Sequence, residues 1–517
     1  MRLALALTLL LFAGGPAHSH VQGPDSTAAP AVHPFYRIQV VDRATGRGVP
    51  LIELRTTYGG RYLTDSAGVV AFFEPGLMGE ELWFHVAGHG YEHPADGFGY
   101  RGVRLTPTRG GRATITVDRI NLAERLYRMT GTGIYRDSVL VGDTPPLAKP
   151  LVNAQITGQD SALAHVFGGK IYWFWGDTGR LSYPLGLFKT AGATSALPSQ
   201  GGLAPGAGVD FDYYQGPDGF ARNVAPVPGT GVVWIDAVSS APNAQGQLRM
   251  FSHFERRQGL GDLFEKGLLV WNDATGEFEK VADFALDEQL HPFGWQPLIQ
   301  DVNGVEYLYF AKPYPNLRVR RELAALVDPS EYEAYSPLVP GTRFDGKNSQ
   351  IERDQQNKIV WAWKKNTAPV NAAQQRQLIN AGLMTRAESP FRLFDVDTGK
   401  QVKGHTGTVA WNDYLGKYLM ILCAEGSEES YLGEIYAAAA DSLEGPWSHA
   451  RKIVSHDRYT LYNVAQRPFF DEDNGRLVYF EGTYTHTFSA TEVGTPWYDY
   501  NQIMYRLDLS DPRLFAK

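Results

Sequence analysis

The sequence predicts an all-β chain in which a small β region precedes a five-bladed β-propeller. Three observations predict it. Aromatic residues make up 12% of the 517 residues, with 55 Gly and 31 Pro, a mixture that favours sheets joined by turns over helix bundles. From about residue 150 a unit of strand, turn and strand recurs five times, each with room for two further strands, which is the periodicity of propeller blades. The length also exceeds one ordinary core, so two or more domains are expected.

At the N-terminus Arg2 is a short basic region, Leu3 to Ala13 an apolar one, and Ala17-His18-Ser19 a small-x-small cleavage site. Residues 1–19 therefore read as a signal peptide, and the protein is expected to be periplasmic or secreted. No cysteine follows the apolar run, so a lipid anchor is not expected, and no later stretch of about 20 apolar residues offers a membrane span. The one cysteine, Cys423, lies in the apolar run Tyr418 to Cys423 and reads as buried packing rather than a nucleophile. With a single cysteine no intramolecular disulfide is available.

A Pro/Ala/Ser-rich linker at 20–34 leads into residues 35–118, where Tyr36 to Asp42 and Val49 to Arg55 alternate around the turn Arg43 to Gly48. Thr64-Asp65-Ser66-Ala67-Gly68 then precedes Val69 to Phe73, and Gly88-His89-Gly90-Tyr91 follows. This order resembles the carboxypeptidase regulatory-like (transthyretin-type) domains, which implies a small β-sandwich with an accessory role. Residues 119–149 read as a connecting segment. Ile120 to Tyr127 has helical spacing, and Gly131-Thr132-Gly133 is a turn rather than a phosphate loop, since no Lys-Ser/Thr follows.

The first repeated unit pairs Ser161 to Phe167 with Lys170 to Trp175 across Gly168-Gly169, a two-residue hairpin signal. The second joins Val232 to Val238 and Leu248 to Phe254 across Asn243 to Gly246, and the third Gln296 to Gln300 and Val305 to Phe310 across Asp301 to Gly304. The fourth is Gly407 to Trp411 with Lys417 to Leu422, and the fifth Gln466 to Phe470 with Arg476 to Phe480 across Asp471 to Gly475. The propeller is thus expected over 150–517. An insertion around 315–400 carries the helix-like run Asn371 to Asn380.

If Phe167 faces Lys170, Asp160 falls directly opposite Asp177 on the same ladder. Directly opposed residues have Cβ atoms ~4.5–5.5 Å apart, where like charges repel. The two are either turn residues splayed into water or a carboxylate pair at the rim of a pocket. In a propeller the open ends of all blade hairpins meet around one funnel, so the same counting adds His291 and Lys312 from the third unit, His405 and Glu425 from the fourth, and Arg467 with Glu481 from the fifth. Trp234, Trp295 and Tyr484 are aromatic candidates nearby. Carboxylates can act as acid and base on a glycosidic bond while flat rings stack on a sugar.

The elements Gly158-Gln159-Asp160-Ser161, Phe174-Trp175-Gly176-Asp177-Thr178 and Ala440 to Trp447, which ends in Gly-Pro-Trp, together resemble the five-bladed propeller glycoside hydrolases of the arabinanase and fructosidase group over about 150–510. The general-acid glutamate motif of family 43 has no aligning counterpart. The resemblance implies a glycoside hydrolase acting on polysaccharide or oligosaccharide, with Asp160 and Asp177 as nucleophile or base and its partner, and Glu481 or Glu425 as the acid. His405, Arg467, Tyr484, Trp234, Trp295 and His291 would hold the sugar. No cofactor or metal site is called; His405 is a core histidine, a sugar contact, or a ligand of an axial cation as in some related propellers. Two alternatives remain open: a polysaccharide lyase relying on His405, Tyr484 and Arg467, and a non-catalytic glycan-binding propeller. The formal net charge of −8 offers no basic field for nucleic acid, and Gly-x-Ser-x-Gly, His-Glu-x-x-His and Cys-x-x-Cys motifs are missing.

Overall fold

A computed structural model describes residues 33–292, 296–427 and 430–515. The expected signal peptide at 1–19 and nearly all of the linker at 20–34 lie outside the described residues, as does Trp295. The described chain is almost entirely β, and no helix in it is long and apolar enough to cross a membrane.

Two four-stranded sheets come first. Tyr36–Asp42 alternates buried and half-buried positions along its length, so Tyr36, Ile38 and Val40 share one face. This strand pairs with Val69–Phe72 and Arg112–Arg119, while Glu53–Thr56 and Leu82–Ala87 centre the other sheet. Ile38, Val40 and Phe72 from one sheet and Leu54, Phe84 and Val86 from the other form a single core, which is sandwich packing. The Thr64 to Gly68 turn is held by Asp65, whose Oδ1 accepts the amides of Ala67 and Val69 at 3.0 and 3.1 Å. Gly68 is required there: its φ is 74°, and a Cβ would lie 2.5 Å from the Val40 carbonyl oxygen.

Five sheets of four or five strands follow, with a three-stranded sheet of Ile156–Gln159, Thr178–Arg180 and Tyr183–Leu187 beside the first. The first is built on Leu163–Phe167 and Lys170–Trp175, the second on Val232–Pro242 and Leu248–Arg257, and the third on Leu298–Val302 and Val305–Ala311. The fourth is built on Gly404–Asn412 and Lys417–Ala424, the fifth on Thr460–Gln466 and Leu477–Thr485. Gly168 and Gly169 both have positive φ, 55° and 79°, as do Asn303 and Gly304, 56° and 83°; both turns therefore have the twist that suits a two-residue hairpin. Apolar clusters join the sheets in succession: Leu163 with Val233, Phe251 with Leu308, Tyr309 with Leu422, Leu419 with Val478, and Tyr479 back to Trp173 of the first sheet. Cys423, with no exposure, belongs to the cluster between the fourth and fifth sheets.

Three expectations are corrected here. Helical spacing at Ile120 to Tyr127 gives way to the strand Glu124–Arg128, which pairs with Asn501–Asp508 as the fourth strand of the fifth sheet; all five of its residues are buried, which suits a strand covered on both faces. The fifth hairpin begins earlier than expected, because Pro468–Phe470 is a 3₁₀ turn and Thr460–Gln466 is the strand. Much of the expected insertion is sheet: Pro315–Arg320, Glu333–Ser336 and Ala362–Lys365 extend the third sheet, and Phe391–Asp395 joins the fourth. The helix Ala372–Asn380 forms as expected, with Asn371 and Gln374 in a capping box.

The sandwich rests on the fifth sheet. The buried Arg125 guanidinium donates to the carbonyls of Pro50, His89 and Leu51, and the Tyr498 hydroxyl donates to Thr64 at 2.6 Å. A fragment beginning at residue 150 lacks Glu124–Arg128 and exposes the edge of Asn501–Asp508 that this strand covers. Such a fragment is expected to aggregate while the full chain stays soluble; a monomeric, cooperatively melting 150–517 fragment would show that the strand is dispensable.

Candidate functional site

The ladder register anticipated around Gly168-Gly169 runs from Phe167↔Lys170 through Leu163↔Phe174 and resumes at Gln159↔Thr178. Between these lies the break that holds Asp160 and Asp177. The Asp160 amide donates to the Asp177 carbonyl at 3.2 Å, and the Gly176 amide to the Asp160 carbonyl at 3.1 Å. Gly176 makes room for the carboxylate: a Cβ there would stand 2.7 Å from Asp160 Oδ1.

Both aspartates line a cavity of about 600 Å³ to which the first, second, fourth and fifth sheets and the end of the third contribute. Asp160 is deep in its wall. Its Oδ2 accepts the Tyr462 hydroxyl at 2.6 Å, and Tyr500 and Ser161 also donate to it. Burial nonetheless raises its pKa, because desolvation outweighs those hydrogen bonds. Asp177 is less enclosed and accepts from Trp234; burial first, and the Asp160 charge second, push its carboxyl up to about 6. Its Oδ1 has no hydrogen-bond partner.

The second sheet adds Asp236 and Glu255 to the same wall. Asp236 sits at a bulge, 5% exposed, with Oδ1 accepting the Ala237 amide at 2.9 Å and Oδ2 unpartnered. Burial drives its pKa well upward and Lys312 opposes the shift, while Lys312 is itself lowered by burial and supported by Asp236 and Glu255. His291 and His405 complete the polar lining. Burial holds both below the usual histidine range, His291 at about 3, so both are neutral at pH 7. Phe188 and Phe488, 43% and 52% exposed, lie at the same cavity.

Backbone strain gathers here as well. Ser161, Asn463 and Tyr500 line the cavity and Ala237 adjoins Asp236, and all four have positive φ, 60°, 54°, 60° and 54°. Asparagine tolerates that region, but for Ser, Ala and Tyr it costs ~1–3 kcal/mol each and is kept only where neighbours over-determine it. The Asn463 Nδ2 bond to Ser161 Oγ at 2.7 Å and the Ser161 amide bond to Thr483 at 3.1 Å are such neighbours.

Of the residues expected in the funnel, Asp160, Asp177, Trp234, His291, His405 and Lys312 line this cavity. Four others do not. Glu481 and Arg467 have no side-chain exposure and pair with each other at 2.5 Å, since the fifth hairpin extends beyond its expected end and leaves Glu481 mid-strand, with Arg467 just past the end of Thr460–Gln466. Glu425 lies in an adjoining chamber, paired to Arg376 at 2.8 Å. Tyr484 is buried against Tyr459 in a cleft between the sandwich and the fifth sheet, bonded to His89 at 2.9 Å. Asp236, Glu255, Tyr462 and Tyr500 escaped sequence reasoning; the acidic residue in Trp234-Ile235-Asp236 is the one that strand counting in the second unit could have reached. Among the described residues no group of three or more His, Cys, Asp or Glu is placed to hold a metal ion.

No protein-family model matches the chain, and a search of curated proteins gives no match. Solved structures with a detectable likeness include an exo-β-1,3-galactanase from Phanerochaete chrysosporium with galactose, at 12% identity and TM-score 0.35, covering 76% of this chain and 66% of that one. Another is an exo-1,5-α-L-arabinanase from a bovine ruminal metagenomic library, at 10% identity and TM-score 0.32, covering 68% and 93%. Likenesses this distant leave the function to be argued from the cavity itself.

Proposed function

We propose that the protein is an exported glycoside hydrolase whose five sheets of four or five strands after the sandwich are the blades of a propeller and whose reaction takes place between Asp177 and Asp236. The closed succession of shared apolar cores supports the propeller reading. The observation that carries the function is the pairing of Asp160 with Asp177 on a strained, polar cavity wall, where one carboxylate is fixed by two tyrosines and the other keeps an unpartnered oxygen.

In this reading Asp177, ionised above about pH 6, is the nucleophile or base. Asp160 keeps the local field negative and so holds the Asp177 pKa up. Asp236 takes the place expected for Glu481 or Glu425 as the acid, because burial favours the protonated form of its carboxyl against the pull of Lys312, the direction a group that donates a proton to a leaving oxygen needs. Trp234, Phe188 and Phe488 offer faces for a sugar ring. The lyase alternative loses its anchor: the Arg467 guanidinium donates to Glu481, Gln296 and the Ala162 carbonyl and does not line the cavity that holds the aspartates.

Screening the purified full chain against neutral and acidic polysaccharides tests the reading, with release of reducing ends expected and no ultraviolet-absorbing unsaturated product. The pH profile adds a sign. Asp177 must be ionised to act, so kcat/KM is expected to fall as pH drops through about 6. A profile flat down to pH 4.5 would remove Asp177 from that role.

A further inference from the structure

We propose that a second chamber, walled by the inserted helix, binds a further neutral sugar unit of the same substrate, so that the protein acts on chains of two or more units in preference to single-unit glycosides. The inference rests on the glycoside-hydrolase reading above. This chamber, about 480 Å³, shares His291, Lys312 and His405 with the cavity that holds the aspartates. Those three side chains therefore stand between the two spaces, and a ligand extending past them leaves one and enters the other. Each space is within the size range of a small-molecule site.

The lining of the second chamber differs from that of the first. Its side-chain polarity comes from the amides Gln289, Asn316, Asn371 and Gln374, and from Lys312 and the two histidines it shares. Asn316 is 8% exposed and its Nδ2 has no hydrogen-bond partner, a donor that a folded protein seldom leaves unmatched. Phe310 and Tyr314 supply apolar surface. The one ion pair added by the helix, Arg376 with Glu425 at 2.8 Å, is matched internally. Amide NH2 donors, beside aromatic rings and with one lysine rather than a cluster of like charges, complement hydroxyl groups.

The wall is fixed. Leu378 of the helix packs with Leu338, Ala368, Val370 and Met384, and the capping box pins its first turn through reciprocal 2.9 Å bonds between Asn371 and Gln374. A rigid wall belonging to an element outside the repeated sheets is what would set the length of chain that fits.

Ala373 is exposed and lines the chamber, so Ala373→Trp projects an indole into it without disturbing the core of the insertion. Gln377 is exposed on the same helix and does not line it, so Gln377→Trp controls for the helix itself. Binding is measured by calorimetry on the Asp177→Asn full-length protein with neutral gluco-, galacto-, manno-, xylo- and arabino-oligosaccharides of one to four units. Affinity is expected to rise about ten-fold or more between one and three units of the preferred sugar, to rise equally with Gln377→Trp added, and to lose that rise with Ala373→Trp added. A single unit that binds as tightly as three, or a rise that survives Ala373→Trp, overturns the second chamber and leaves the hydrolase reading standing. Failure of every sugar to bind, together with no cleavage by the unsubstituted protein, overturns both.

Discussion

Asp177→Asn is expected to give a protein that is more stable at neutral pH and does not turn over substrate. The two effects have one origin. Asp177 is ionised at pH 7 inside a partly dehydrated wall beside a second carboxylate, and its pKa of about 6 against the ordinary 3.8 measures what the fold concedes to keep it charged. The sign follows from linkage. A carboxyl whose folded pKa is raised binds its proton more tightly in the folded state, so its destabilising effect is complete above pH 6 and vanishes below the unfolded pKa near 4. The substitution should therefore stabilise by ~1–3 kcal/mol at pH 7 to 8, allowing for residual solvent screening, with the gain disappearing towards pH 4. Turnover should fall on the order of 10³-fold or more, because an amide can neither attack nor accept a proton. Asp160→Asn is expected to lower turnover by orders of magnitude too, through loss of the charge that Tyr462 and Tyr500 hold in place. Chemical denaturation at pH 7.5 and pH 4 beside initial rates on the identified substrate checks all three signs. Rates within a few-fold of the unsubstituted protein for both variants would reduce the pair to a strand-end feature.

How much of this was legible in the sequence depended on how local each signal was. The Gly168-Gly169 turn fixes its own register through two positive φ angles, so counting outward reached Asp160 and Asp177 across a break that the ladder itself does not bridge. The same counting failed in the fifth unit because Pro468 starts a 3₁₀ turn inside an apolar run, which displaced the strand by several residues and carried Arg467 and Glu481 away from the open end. Glu124–Arg128 was missed for another reason: its partner lies at the far end of the chain, and a strand buried on both faces has no alternation to reveal it. Asp236 stands just before a bulge and the left-handed Ala237; strand counting can reach the residue, but the bulge is a feature of tertiary fit that no period of two announces. Local turn chemistry thus gave away one half of the cavity, and long-range packing decided the other.

Glu481 offers the clearest contrast between a catalytic and a structural carboxylate. Arg467 Nη2 donates both to Glu481 at 2.5 Å and to the Ala162 carbonyl at 2.8 Å, while Nη1 donates to Gln296 at 3.1 Å. Gln296 in turn donates to the Ala164 carbonyl at 2.7 Å, and the guanidinium lies 5.5 Å from the Trp173 ring centroid. One arginine of the fifth sheet therefore ties down the first strand of the first sheet and the approach to the third. Burial pushes the Glu481 carboxyl up to about 7, with Arg467 pulling the other way, and its Oε2 has no hydrogen-bond partner, so the pair contributes position more than net stability. Removing one member strands the other in a dry interior. Arg467→Ala is expected to cost ~3–5 kcal/mol, whereas the double change Arg467→Met with Glu481→Leu should recover most of that loss. Glu481→Gln, which keeps the shape and a hydrogen bond, should lower the melting temperature while any folded fraction keeps near-normal turnover at 25 °C. The opposite pattern, unchanged melting with turnover lost, would return Glu481 to the role of acid and require the first and fifth sheets to open enough for a sugar to reach it.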